Sequence, residues 1–282
     1  MAWIARKPSQ ELVNLVGALE GRWTGYYAMC RCPAHVDADP SLSLRQGDRA
    51  ILVTCFAGCD PEDVLRELGR VRPGQNYTMP RSDHRSGTAN VERLWAQSLP
   101  VKGTLAERYL LRRRLATDLP DLRFHPRCPH GPKGLTKFKP ALMVAVREGR
   151  RLRALQRIFL DGASSWYEAK VMLGTPGAAT WQGARPTDTL ALAEGFEDAA
   201  AFQRLFGIPS WSPLGARRFD QAVIPESVTR LILAEDNDPE GRRASSKAAE
   251  RYARPGLTIE RAPPPSGCKD WARYLERANL KS

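Results

Sequence analysis

The chain has 282 residues, of which 42% are hydrophobic and 26% charged, so it is long enough for two or three domains with buried cores. No stretch approaches the roughly 18 apolar residues of a membrane-spanning helix, and the first residues lack the apolar region of a signal peptide, so we expect a cytoplasmic protein with reduced thiols and no membrane partner. The net charge of +12 predicts a polyanionic partner, with nucleic acid the leading candidate.

A cluster of cysteines and one histidine follows a short helix that we predict within residues 1–20. The spacing is Cys32-x2-His35-x19-Cys55-x3-Cys59. Between the two pairs, PSLSL, the turn QGDR and AILVTC predict a β-hairpin that would bring the second pair back beside the first. Four such ligands at these spacings are typical of a structural zinc site, which leaves no open position for catalysis.

Other cysteines compete weakly for the same role. Cys30 could replace Cys32, although Cys32-Pro-Ala-His is the better match to a ligand pair. Cys128 and His130 resemble half of a metal site, but the other ligands are missing, so we expect no metal there. Cys268 is expected to be a lone thiol.

The middle of the chain is predicted to begin with a helix and a linker. Asp60 is a candidate N-cap, Pro61 occupies the first helical position, and the helix should reach about Leu68. Residues 72–90 are polar, with Pro and Gly and no periodicity, and predict a linker. Further predicted elements are helices at 91–99 and 104–116, and two strands within 141–160 that join at Glu148-Gly149.

The positive charge is concentrated in this middle part. Residues 81–160 contain 18 Lys or Arg and 6 Asp or Glu, an excess of twelve that equals the net charge of the whole chain. A solvated basic surface is the ordinary explanation of such a run. Because the entire excess falls in one segment, a nucleic-acid track is the favoured interpretation.

From residue 189 onward, strands alternate with helices, in the segments TLALAE, GFEDAAAFQRLF, PSWS, TRLILAE, PEGRRASSKAAERYA, LTIERA and KDWARYLERA. Such alternation predicts a mostly parallel sheet with helices on its faces. The predicted fold class is therefore α+β and multidomain. The predicted divisions are a zinc-binding domain at 1–71, the linker at 72–90, a basic subdomain at 91–187 and an α/β domain at 188–282.

Carboxylates follow two strands of this α/β domain. Glu194 closes one strand, and Asp236 and Asp238 close another. Ligands of open α/β sheets gather at the carboxyl ends of strands, and alternate residues of an extended segment project to one side. We predict that these three side chains bind Mg²⁺ or Mn²⁺. Three nearby acids are expected only to cap helices: Glu197, Asp198 and Glu240.

Two sets of motifs resemble one family. CPAHVDADPSLSL with CFAGC resembles the zinc-binding domain of DnaG-type bacterial primases and their phage and plasmid relatives, in which a zinc ribbon helps to engage single-stranded template. The acidic pattern resembles the Toprim domain of the same enzymes, also found in topoisomerases and some nucleases. The resemblance implies that Glu194 is a general acid/base or metal ligand, and that Asp236 and Asp238 hold Mg²⁺. GCKDWARYL is similar to a third Toprim segment and adds Asp270, while Arg273 stands where the family has a second aspartate.

The resemblance also assigns cations in the middle segment. Lys170 matches a family lysine that follows a strand and precedes a short loop, and Arg157 lies on the preceding strand; they would hold a nucleotide triphosphate or the template backbone. Residues expected to extend this track are Arg112, Arg113 and Arg114, with Lys137 and Lys139 as weaker candidates. Trp166 and Trp181 could stack on bases, although core packing is the commoner fate of tryptophan.

The main functional hypothesis is a compact, mobile-element-like primase that makes RNA or mixed primers on single-stranded DNA from NTPs or dNTPs. Since no helicase portion or P-loop is found, a separate replicative helicase would be its partner. A Toprim nuclease or nicking enzyme is the enzymatic alternative. A zinc-ribbon DNA-binding protein without catalysis is the other alternative, although the intact Glu194, Asp236 and Asp238 set disfavours it.

Overall fold

The computed structural model describes residues 7–24, 27–37, 40–47, 50–78, 85–131, 136–164 and 166–278. Within these ranges, no helix combines the length and the hydropathy that crossing a bilayer requires. The described residues form two compact units. The smaller unit contains the residues up to 86 together with 129–131 and 136–138, and the larger unit contains the rest.

The smaller unit is an antiparallel sheet with two helices. Its elements are α1 (Gln10–Ala18), β1 (Arg22–Thr24), β2 (Tyr27–Cys30), β3 (Leu42–Gln46), β4 (Ile51–Cys55) and α2 (Pro61–Leu68). The sheet order is β1-β2-β3-β4, and β3 pairs with β4 from Leu42 opposite Cys55 to Gln46 opposite Ile51, as the predicted hairpin requires. Leu12 and Val16 of α1 pack with Leu42 and Val64 in a separate core. The predicted helix at 60–68 is confirmed, with Asp60 accepting a hydrogen bond from the Glu62 amide (2.8 Å).

The segment 72–90, which we predict to be a linker, contains ordered residues at both of its described ends. The Tyr77 amide donates to Asn14 Oδ1 (2.9 Å), and the Tyr77 ring lies against Gly17, where a Cβ would meet it at 2.1 Å. A glycine in α1 therefore admits an aromatic side chain from a segment that sequence periodicity could not assign. Residues 79–84 lie outside the described ranges, and a helix begins at Arg85 instead of Val91.

The first part of the chain from Arg85 onward is helical and then forms a four-stranded sheet, most of which belongs to the larger unit. Its elements are α3 (Arg85–Ala96), α4 (Leu105–Arg112), β5 (Leu122–His130), β6 (Lys137–Glu148), β7 (Arg151–Leu160) and β8 (Tyr167–Gly174), with sheet order β5-β6-β7-β8. The predicted pair of strands within 141–160 is confirmed as β6 and β7. Strand β5 was not predicted, because its two prolines interrupt the alternation of apolar and polar residues.

The second part is a five-stranded sheet covered by helices. Its elements are β9 (Trp181–Gln182), β10 (Thr189–Ala193), α5 (Phe196–Phe206), β11 (Ser210–Ser212), a short 3₁₀ helix (Ala216–Arg218), β12 (Arg230–Ala234), α6 (Pro239–Tyr252), β13 (Thr258–Ala262) and α7 (Trp271–Arg277). The order is β13-β12-β10-β11-β9, with the first four strands parallel and β9 antiparallel to β11. The predicted α+β class with a mostly parallel C-terminal sheet is confirmed.

Both faces of this sheet are buried, which explains its nearly continuous apolar strands. Ala191 and Ala193 face a cluster that includes Phe196 of α5 and Trp271 of α7, whereas Leu190 and Leu192 face a cluster that includes Ala248 and Tyr252 of α6. The first cluster also contains residues from before position 187, among them Tyr109, Leu142 and Ile158. The predicted division at 187/188 thus lies inside one compact unit, and the domain boundaries stay predictions.

Candidate active site and zinc centre

The carboxyl ends of β10 and β12 bring predicted acidic residues side by side. Ala193 pairs with Ala234 at the end of these parallel strands, so Glu194 and Glu235 follow at equal height. Glu235 is buried and forms an ion pair with Arg261 (2.7 Å). One residue further, Asp236 Oδ1 is buried without a hydrogen-bond partner among the described residues. Asp238 caps α6, since its Oδ1 accepts a hydrogen bond from the Gly241 amide (2.8 Å).

Two further aspartates lie at the start of α7. Asp270 Oδ1 accepts a hydrogen bond from the Arg273 amide (2.7 Å), and Asp198 Oδ1 accepts one from the Ala272 amide (3.0 Å). Asp198 was expected only to cap the helix that contains it, but it holds the start of α7 instead. Asp198 lies four residues after Glu194, in the first turn of α5, and this spacing could have indicated that the two carboxyl groups lie close together.

The pKa values of these carboxyl groups show how strongly negative charge accumulates here. Burial is the main cause that raises the pKa of Glu194 to about 7, and the charge of Asp198 is the second. Burial, followed by the charge of Glu194, raises the pKa of Asp236 to about 7. Burial and the charges of Asp236 and Asp270 also raise the pKa of Asp198 well above its ordinary value. A bound cation would relieve this repulsion and favour the ionised carboxylates.

The acidic residues suit a hard divalent cation. They offer only oxygen atoms, and the unpartnered Asp236 Oδ1 is a buried acceptor that a cation would satisfy. Among the described residues, the group of three or more side chains that could hold a metal ion without other ligands is the cysteine-histidine set, and not the acidic cluster. Mg²⁺ commonly takes one or two carboxylates and completes its shell with water and substrate phosphate, so the acidic residues need not form a closed ligand set.

Glycines keep this region open, as their positions in the sequence suggest. A Cβ at Gly241 would lie 2.5 Å from the Asp236 carbonyl oxygen, and one at Gly195 would lie 2.8 Å from Asp198 Oδ2. Any larger residue would therefore displace an acidic side chain or its strand end.

Lys170 lies in the middle of β8, opposite Ile158, and not at a strand end before a loop as the resemblance suggested. Its Nζ is 2.7 Å from Glu197 Oε1, and only 19% of its side chain is exposed. Tyr109 Oη donates to the same Glu197 oxygen (2.6 Å). Although burial alone would raise it, the charge of Lys170 and these hydrogen bonds lower the pKa of Glu197 to about 2. Glu197 is thus a buried charge that joins β8 and α4 to α5, and it is not the helix cap that we expected.

The other predicted cations occupy different environments. Arg112 is exposed, whereas Arg113 is 7% exposed and forms an ion pair with Glu276 (2.9 Å), which removes it from the predicted nucleic-acid track. Arg114 donates to the Ala278 carbonyl oxygen (2.6 Å). Arg157 lies beside Cys128, with its guanidinium carbon 5.4 Å from the centre of the Phe159 ring. The weaker candidates differ too, because Lys139 pairs with Glu168 and Lys137 is exposed.

The cysteine-histidine cluster of the smaller unit has the geometry of a metal site. One ligand atom from each of Cys32, His35, Cys55 and Cys59 lies within 4.8 Å of the others. His35 Nδ1 is 3.2 Å from Cys59 Sγ and 4.0 Å from Cys55 Sγ. Three sulfurs and one imidazole are the donors of structural zinc sites, so the donor set suits Zn²⁺. Burial raises the pKa of Cys32 to about 12, and zinc binding would therefore release its proton.

Asp37 supports this set and was missed by sequence reasoning. Its Oδ1 is 3.6 Å from His35 Nε2, and its Oδ2 accepts hydrogen bonds from the Cys32 amide (2.7 Å) and Ser41 Oγ (2.6 Å). A carboxylate beside the second nitrogen of a metal-binding histidine orients the ring. The spacing His35-x-Asp37 within a ligand motif was the available signal. Cys30, Cys128 and Cys268 are buried outside this set, in keeping with their prediction.

Comparison with family models finds two matching segments of the chain. Residues 189–279 match the model of the Toprim domain, so this part of the chain is a Toprim domain. Residues 85–183 match a domain of unknown function, DUF7146. No curated protein sequence matches the chain.

Comparison with solved structures finds primases. The zinc-binding and RNA polymerase domains of the Aquifex aeolicus primase are 13% identical to this chain in sequence and align with a TM-score of 0.50. The alignment covers 95% of this chain and 80% of that one. The DnaG primase catalytic domain bound to ssDNA is 16% identical, with a TM-score of 0.51 over 70% of this chain and 76% of that one. The DnaG catalytic core is 17% identical, with a TM-score of 0.50 over 69% and 74%. These similarities show that the chain shares the fold of DnaG primase fragments.

Proposed function

We propose that this protein is a DNA primase, which synthesises short RNA or mixed primers on single-stranded DNA by metal-dependent nucleotidyl transfer. The observation that supports it best is the acidic cluster of Glu194, Asp198, Asp236 and Asp270 in a Toprim domain of the DnaG fold. The zinc site and the basic segment that precedes the Toprim domain agree with a single-stranded template as partner and with NTPs or dNTPs as substrates.

The acidic side chains have separable roles in this proposal. One or two of the carboxylates of Asp236, Asp238, Asp270 and Glu194 would hold Mg²⁺ or Mn²⁺, and the cation would supply electrophilic stabilisation of the phosphates. Glu194 is partly buried and has a pKa of about 7, so its carboxylate is suited to accept the proton of an attacking hydroxyl group. Asp198 holds the start of α7 and thereby positions Asp270.

Lys170 has a positioning role in this proposal instead of the substrate contact that the resemblance implied. Its charge is already compensated by Glu197 (2.7 Å), which directly precedes Asp198 on α5. Arg112 and Arg114, and not Arg113, remain candidate contacts to nucleic acid. Zinc bound by Cys32, His35, Cys55 and Cys59 would stabilise the smaller unit without a catalytic role.

The test is primer synthesis by an Asp236→Asn variant on defined single-stranded templates with Mg²⁺ and either NTPs or dNTPs. We expect synthesis to fall by more than the roughly 10–100-fold that loss of an outer-shell partner costs, because Asp236 is itself a candidate ligand, with DNA binding retained. Glu250→Gln, which changes an exposed carboxyl group on α6, should leave synthesis unchanged. Normal synthesis by Asp236→Asn would refute the assignment, and metal-dependent cutting without synthesis would favour a Toprim nuclease.

A further inference from the structure

A pocket of about 560 Å³ lies beside the acidic cluster and has no role in the chemistry described above. Its lining residues are Arg112, Ser164, Trp166, Arg273 and Glu276. They come from the end of α4, the connection between β7 and β8, and α7, all within the larger unit. Arg273 is the third residue of α7, whose N-cap is Asp270, so the pocket begins about one helical turn from an acidic residue of the candidate active site.

Trp166, which lines the pocket, is held by hydrogen bonds and a ring contact. Its amide donates to Ser164 Oγ (3.3 Å), and its carbonyl oxygen accepts a hydrogen bond from the Asp161 amide (2.8 Å). The Asp161 carboxylate in turn binds the Ser164 amide (3.0 Å). The Tyr109 ring lies against the indole, with ring centres 6.3 Å apart and an angle of 64° between the planes. The indole therefore needs little reorganisation to receive a ligand.

Guanidinium groups surround this indole. The Cζ atoms of Arg112, Arg113 and Arg273 lie 5.3, 5.2 and 5.8 Å from the ring centre. A guanidinium near an aromatic face gains cation–π stabilisation while its in-plane N–H groups stay available for an anion. The tryptophan thus gathers cationic side chains that would otherwise repel one another.

The charges of the pocket are not balanced. Glu276 pairs with Arg113 and Arg273, each at 2.9 Å, and it is the carboxylate that lines the pocket. Arg112 has no carboxylate within 4.0 Å among the described residues, and its described side-chain hydrogen bond goes to the Ser164 carbonyl oxygen. Arg113 is buried, whereas Arg112 and Arg273 are exposed at the mouth of the pocket. Two accessible guanidinium groups and a net positive charge suit a phosphate group, which accepts paired N–H donors.

We propose that Arg112 and Arg273, supported by Trp166, bind a backbone phosphate of a single-stranded DNA segment next to the acidic cluster. This inference rests on the proposed function, because it identifies the strand as the source of the phosphate. A polynucleotide is favoured over a free nucleotide because Arg112 belongs to residues 81–160, which carry a charge excess equal to that of the whole chain, so a strand bound here would meet several cations at once.

The experiment measures binding of a fluorescently labelled oligo(dT) over a series of salt concentrations, in buffer without Mg²⁺ and without chelator. Arg112→Ala and Arg273→Ala should each weaken binding on the order of tenfold, as expected for loss of a charge-assisted contact. Each should also lower the slope of log affinity against log salt by about 0.7, the value for one phosphate contact on a single strand. Arg112→Lys should keep the slope and lose part of the affinity, since the charge remains but the paired donors do not.

Arg243→Ala is the matched control, because Arg243 is an exposed arginine of α6 outside this pocket. It should change neither affinity nor slope by as much. Equal effects of the three alanine variants would overturn the inference, and so would an unchanged slope in Arg112→Ala. Weaker binding of ATP with unchanged binding of oligo(dT) would overturn the choice of the strand. Since the assay contains no Mg²⁺ and measures no synthesis, an arginine-dependent slope in a protein that makes no primers would uphold this inference and reject the proposed function.

Discussion

Glu194 and Asp236 have pKa values of about 7 in the folded protein, above their ordinary values of 4.5 and 3.8. Because these two carboxyl groups bind protons more tightly in the folded protein than in the unfolded chain, their protonated forms stabilise the fold. This contribution is fully present below about pH 4 and is lost as the pH rises through 7. We expect the melting temperature in Mg²⁺-free buffer to fall between pH 5 and pH 8, and Mg²⁺ to raise it more at pH 8 than at pH 5. Differential scanning calorimetry at several pH values checks this.

In a Glu194→Gln/Asp236→Asn double variant, the melting temperature should depend less on pH, and Mg²⁺ should raise it less, because the two titrating carboxyl groups are gone. Glu250→Gln retains both carboxyl groups and should follow the parent protein. Equal pH profiles in the parent and the double variant would contradict the assigned protonation.

At the scale of elements, α4, α5 and β8 are joined by one buried carboxylate. Glu197 accepts contacts from Tyr109 Oη (2.6 Å) and Lys170 Nζ (2.7 Å), and it is 2% exposed. Glu197→Ala would leave the Lys170 ammonium group without its partner in a poorly solvated position. We expect it to lower the free energy of unfolding by about 3–5 kcal/mol, as for other buried ion pairs that lose one member. Urea denaturation measures the difference.

A Lys170→Met/Glu197→Leu double variant separates the two contributions to this loss. It removes both charges, so it should be clearly more stable than Glu197→Ala. If the double variant were as unstable as the single one, packing and not the unpaired charge would be the cause.

The whole molecule contains two compact units with separate cores, and each unit has its own candidate metal site. Leu12, Leu42 and Val64 belong to the core of the smaller unit, which contains the cysteine-histidine set, whereas the acidic cluster lies in the larger unit. We expect calorimetry to show two transitions, one for each unit. Removal of zinc should lower the melting temperature of the smaller unit, and Mg²⁺ should raise the melting temperature of the larger unit. Elemental analysis should find one zinc per chain.

Cys55→Ser/Cys59→Ser should reproduce the effect of zinc removal, and Cys268→Ser should not, because Cys268 lies outside the ligand set. A single transition that responds to both metals would contradict the assignment of one metal site to each unit.

The sequence by itself determined the features that depend on short-range spacing and on the order of elements. The sequence predicted the ligand pairs Cys32/His35 and Cys55/Cys59 from their short spacing. It predicted the hairpin between them from the strand and turn residues of the same segment. The alternation of strands and helices after residue 189 predicted a parallel sheet, and the strand ends then located Glu194, Asp236 and Asp238. Asp270 was suggested by the family resemblance of GCKDWARYL, and not by spacing or geometry.

Only the tertiary structure decided which charges meet across elements distant in sequence. The sequence predicts Glu197 as a helix cap, but Lys170 and Tyr109, from two other elements, both contact its Oε1. The sequence predicts Arg113 as an exposed neighbour of Arg112, but Arg113 is buried and pairs with Glu276. The segment around Tyr77 resembled a linker because its docking partner is α1, more than fifty residues earlier. Local pattern reports which side of an element is apolar, but the partner of a charged group depends on packing between elements, which spacing along the chain does not encode.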